Sequence, residues 1–156
     1  MDYSFGAAIG AGLVATAAKT AVLYMGFFMM PKQVPMNLLY MLGTMMTPSK
    51  VPAYIVGAMI HTMMGIAFAL IHTGIYQGLD VDSNLAAWGL LFGFVHWIVV
   101  GMAFGMIWMI HPLMRSGQMP APGAFVKNLP MMTMVRFLMI HLLYGVLVGA
   151  FYDLWV

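Results

Sequence analysis

The chain has 156 residues, 63% of them hydrophobic, and only 6% carry a fixed charge (six Lys or Arg against four Asp or Glu). A soluble domain carries roughly a quarter charged residues, so this composition cannot cover a water-facing surface. A net charge of +2 with no basic patch excludes nucleic-acid binding, and the lack of cysteine removes disulfides, thiolate zinc sites and iron–sulfur clusters. The class left is an integral membrane protein, in contact with lipid and not with nucleic acid.

A membrane-crossing helix needs about 20 mostly apolar residues, and four stretches meet that length. They are Ala7–Met30, stopped by Pro31, then Ala53–His72, Ala86–Ile110 before Pro112, and Met131–Phe151 after Pro130. The expected fold is all-α, a single transmembrane domain over residues 1–156 built as a four-helix bundle. The first six residues carry no basic stretch, so no cleaved signal peptide is expected. Between the first two spans, Met36–Met46 is apolar but too short to cross, and reads as an interfacial helix. The connection 113–129, with Gly117, Pro120, Pro122 and Gly123, reads as irregular chain, and Gly74–Asn84 as a polar turn.

Charge sets the orientation. Lys32, Lys50, Arg115 and Lys127 lie in the first and third connections with Arg136 close by, whereas Asp2, Asp80, Asp82 and Asp153 share the opposite end. The positive-inside rule places the basic connections in the cytoplasm. Both termini are then outside a bacterial inner (cytoplasmic) membrane.

The chain also reads as one helical hairpin written twice in parallel. His61 and Gly65 recur as His141 and Gly145 at an offset of 80, and Gly12 and Lys19 as Gly89 and His96 at an offset of 77. Small residues four apart permit close helix contact in lipid. Gly6/Gly10, Gly65/Ala69, Gly89/Gly93, Gly101/Gly105 and Gly145/Gly149 form five such pairs, more than a bundle of four helices needs for itself.

Lys19, His61, His96 and His141 each fall within about two residues of a span centre, roughly 3 Å of depth. A lysine at mid-bilayer costs at least about 2.5–3.5 kcal/mol, so such groups face the interior and carry function. Taken singly, each histidine reads as an interhelical hydrogen-bond donor worth about 0.6 kcal/mol. Four ionisable groups at one depth read as a site. With no acidic residue at that level, Lys19 is expected to bond to backbone or imidazole, or to meet a ligand carboxylate. His72 and His111 fall at span ends and read as interface residues, and Arg136 as reaching toward lipid headgroups.

A glycine one turn from a histidine shares its face and clears space for a flat ring, and imidazole is the usual axial ligand of haem iron. His61 with Gly65 and His141 with Gly145 are therefore candidate ligands of a haem or (bacterio)chlorophyll-type tetrapyrrole, its metal held by His61 and His141, with His96 and Lys19 beside it. Thioethers select Cu(I), but the twenty Met are scattered over every helix as apolar filler, so copper is not expected.

Through Gly12–Thr16 (GLVAT), Met36–Asn37, Met41–Gly43, His61 and His141–Gly145 (HLLYG), the chain resembles a family of small four-span bacterial membrane proteins of unknown function. That resemblance implies the fold and a role for His61 and His141, and implies no activity. Lys19 stands where the family pattern has an apolar residue, so no family role passes to it.

No nucleophile–base pair, paired carboxylates or phosphate loop is present, so no catalysis is expected. The function read from the sequence is a non-catalytic accessory subunit docked to other transmembrane subunits of a respiratory or photosynthetic complex, with one tetrapyrrole as its ligand. The alternative is a small homo-oligomeric transporter or channel using a Lys/His relay.

Overall fold

A computed structural model describes residues 3–156, so Asp2 lies outside the described residues. The helices are α1 (Phe5–Met29), α2 (Leu38–Gly43), α3 (Lys50–Gly78), α4 (Leu85–Met106), α5 (Pro112–Arg115) and α6 (Met131–Trp155). There is no strand among the described residues. Four helices are long and apolar enough to cross a membrane: α1, α3, α4 with its 3-10 extension to Met109, and α6.

The ends differ from the expected ones for local reasons. Helix α3 continues past His72 to Gly78 because Thr73 and Tyr76 extend its buried face. It closes at Asp80, whose φ of 52° is left-handed, with Val81 N–H bonded to Tyr76 O and Asp80 N–H to Gln77 O. Glycine usually fills that capping position. The apolar stretch 36–46 condenses to the six residues of α2, started by Asn37, whose side chain accepts Tyr40 N–H. The 113–129 connection is less irregular than expected, since it holds most of α5 and a 3-10 turn at Ala124–Val126.

The chain divides into two compact units, and each long helix contributes to both. The first comprises residues through Val22, Thr62–Trp97 and Leu138–Val156. Its helix segments meet at glycines. A Cβ on Gly65 would overlap Thr16 Oγ1, and one on Gly145 would overlap the Gly89 carbonyl oxygen. Gly10 faces the Trp155 ring and Gly149 the Leu85 carbonyl.

The second unit comprises Leu23–His61 and Ile98–Phe137. Here α2 lies on the start of α3, with Gly43 against Ala53 and Gly57 against Leu39. Asn37 joins them: Tyr24 donates to its Oδ1 at 2.7 Å, and its Nδ2 donates to Tyr54. Gly101 and Gly105 receive Phe125 and Ala124. All five small-residue pairs except Gly6 are therefore occupied by contacts within the units.

Candidate functional site

On α3 the buried residues Gly65, Ala69, His72, Thr73 and Tyr76 recur at intervals of three and four, one continuous helix face. On α6, His141, Tyr144, Gly145 and Val148 do the same. Lys19 on α1 and His96 on α4 supply the other two sides of a polar cluster inside the first unit.

The cluster is closely packed. His96 lies with its ring centroid 5.0 Å from His141, 5.6 Å from His72 and 5.3 Å from Tyr144, each edge to face. Phe68 stacks on His96 at 3.7 Å. Lys19 Nζ stands 4.4 Å from the centroid of the Tyr144 ring, over its electron-rich face. A cation–π contact of that kind is worth about 2 kcal/mol when desolvated. The Tyr144 hydroxyl donates to the Gly65 carbonyl, which fixes the ring beneath the ammonium.

These groups are taken from water: Lys19 is 6% exposed, His96 and His141 4%, and His72 3%. His72 Nδ1 and Thr16 Oγ1 are buried with no hydrogen-bond partner. Among the described residues the acidic ones, Asp80, Asp82 and Asp153, lie beyond α3 or in the last turn of α6.

No family model, curated protein or solved structure matches this chain. The chemistry of the site therefore rests on its own residues.

Three of the four residues expected at one level, Lys19, His96 and His141, come together, whereas His61 belongs to the second unit. His72 corrects the expectation for that residue. It is not at a span end, because α3 runs six residues further and buries it against Tyr144, His96 and Phe92. The Gly65, Ala69, His72 spacing could have placed it on the buried face. Tyr144 was legible only as part of the helix-packing stretch around Gly145.

Gly65 and Gly145 do not open a slot for a flat ring, since Thr16 and Gly89 occupy the space beside them. His111 is also not an interface residue. It is fully buried in the second unit, where Nε2 bonds to Met41 O at 2.9 Å and lies 3.3 Å from Thr44 Oγ1. Nε2 must carry the hydrogen, because a carbonyl only accepts. The half-buried Arg136 packs against Gly26 rather than extending freely. Among the described residues no group of three or more His, Asp or Glu is arranged to hold a metal ion.

Proposed function

We propose that the four long helices span a membrane with both termini outside, and that the first unit handles protons. The protein would act as a small homo-oligomeric transporter or channel in which Lys19, His72, His96 and His141 form the relay. The observation that carries this reading is a lysine buried to 6% exposure on the Tyr144 ring, which also packs against His72 and His96, with His96 in contact with both His72 and His141. A fold gains little from such a group in lipid and loses the cost of inserting it. Imidazole exchanges protons in the physiological range, which suits it to passing them between neighbours.

The parallel repeat supports the same reading. The offsets that pair His61 with His141 and Lys19 with His96 also pair Gly65–Thr16 with Gly145–Gly93 and Gly12–Gly65 with Gly89–Gly145, and all four are close contacts. One duplicated helix crossing accounts for both pairs of glycines and sets Lys19 and His96 in equivalent places.

The accessory-subunit reading rested in part on small-residue pairs left over for docking, and those pairs, Gly6 excepted, are filled from within. Its tetrapyrrole would need an imidazole facing open space, and in the first unit the imidazoles face one another and Phe68.

Proton flux into proteoliposomes carrying an interior pH dye tests the proposal. Wild type should acidify them under an inward proton gradient, whereas Lys19→Met and His96→Phe should fall to the rate of protein-free vesicles. Wild-type flux equal to that of empty vesicles would refute it. A Soret or Q band in the purified protein would instead revive the tetrapyrrole.

A further inference from the structure

The first unit also contains a cavity of about 130 Å³ lined by Val81 and by the polar residues Thr73, Tyr76, Gln77, Asp80, Asp82 and Tyr152. We propose that this cavity is the aqueous inlet through which outside protons reach the buried lysine–histidine cluster, an inference that rests on the proton-handling function.

Its position is the first argument. Thr73 directly follows His72, and Tyr76 lies one turn further on the same face of α3. Tyr76 stacks on Phe92 with centroids 5.4 Å apart, and Phe92 lies 5.9 Å from His72. Tyr76 in the cavity wall is thus separated from His72 by one side chain, Phe92.

Its lining is the second. Thr73, Tyr76 and Tyr152 are buried at 0–2% exposure, yet each presents a hydroxyl in this region. Thr73 donates to Ala69 O and meets Tyr3, Tyr76 donates to Leu85 O, and Tyr152 accepts Ser4 N–H. A polar cavity several times the roughly 30 Å³ share of one water holds water, whereas only apolar cavities stay dry.

The third is Asp80. It occupies a left-handed capping position that glycine would fill at lower cost. The carboxylate is kept there, with Asp82 beside it on the same cavity. Two carboxylates at a mouth with low-dielectric walls concentrate protons and raise the rate of their capture about tenfold or more. From the cavity water a proton would pass to His72, which faces His96 and Tyr144, with Lys19 over the Tyr144 ring.

The lack of native cysteine makes the test direct. Single-cysteine variants Thr73→Cys, Ala69→Cys and Asp82→Cys are treated in intact cells with a small, membrane-impermeant cationic thiol reagent. Thr73→Cys should react although its position is 0% exposed, and Ala69→Cys, one turn deeper, should not. Reaction at Asp82→Cys confirms access of the reagent and protection at Ala69→Cys confirms folding, and Thr73→Cys protected beside a reactive Asp82→Cys would overturn the inlet. Proton flux in Asp80→Gly/Asp82→Asn is the companion measurement, since Asp80→Gly removes a carboxylate while relaxing the backbone. The expected result is flux slowed about tenfold at low salt and less at high salt, and unchanged flux would overturn the role of the carboxylates. Absence of flux in wild type would refute the proton-handling function, while labelling at Thr73→Cys would still report whether the cavity opens to water.

Discussion

The α4–α6 crossing decides where His141 and Tyr144 stand relative to His96, so Gly145→Ala perturbs fold and site together. A Cβ there overlaps the Gly89 carbonyl oxygen and comes within 2.8 Å of Gly93 N and Cα. All three obstacles are backbone, so no side chain can swing aside. Overpacking a tight core costs about 1–3 kcal/mol, and backbone obstacles place this case at the upper end, about 3 kcal/mol. Replacing glycine by alanine within a helix returns about 1 kcal/mol, leaving a net loss of about 2 kcal/mol. Gly74→Ala on α3 is the control, because a Cβ there meets nothing within 4 Å. It should be neutral or stabilising by up to about 1 kcal/mol. Thermal unfolding in detergent, followed by helical circular dichroism, should separate the two variants clearly. Equal stabilities would refute the close crossing on which the site geometry depends.

Other outcomes follow from the same contacts. Tyr144→Phe removes the hydroxyl bond to Gly65 O and keeps the ring under Lys19, so stability should fall by about 1 kcal/mol with flux retained, whereas Tyr144→Leu should lose both. His111→Ala leaves Met41 O without its imidazole donor and should cost about 1–3 kcal/mol in denaturant unfolding while sparing proton flux. For orientation, cysteine at Ser83 should react with impermeant reagent from outside and cysteine at Ser49 should not. The reverse pattern would invert the topology.

Much of this is legible in the sequence. The count of four long apolar helices followed from apolar length, because Pro31, Pro112 and Pro130 punctuate the chain where helices stop or start. Depth alone grouped Lys19, His61, His96 and His141 at one level, of which Lys19, His96 and His141 fall in the first unit and His61 in the second. What misled was the end of α3: Thr73 and Gly74 look like the start of a polar turn, but Thr73 and Tyr76 extend the buried face, so the helix closes only at the left-handed Asp80 and His72 lies inside it. The glycines were recognised as packing residues without revealing their partners, since a sequence shows which residues are small and not which surfaces meet. Ring packing was also hidden. Nothing in the order of residues tells that Phe68 covers His96 or that Tyr144 carries Lys19.

Solid-state NMR of the protein in bilayers, labelled at histidine, lysine and tyrosine, tests the central claim that these residues form one coupled proton-handling group. The account predicts through-space contacts from His96 to both His72 and His141 and from Lys19 Nζ to the Tyr144 ring. It also predicts that changing the outside pH moves the imidazole signals of the three histidines together, and that substituting any one of them alters the other two. Three histidines that titrate independently, without contacts between their rings, would contradict it.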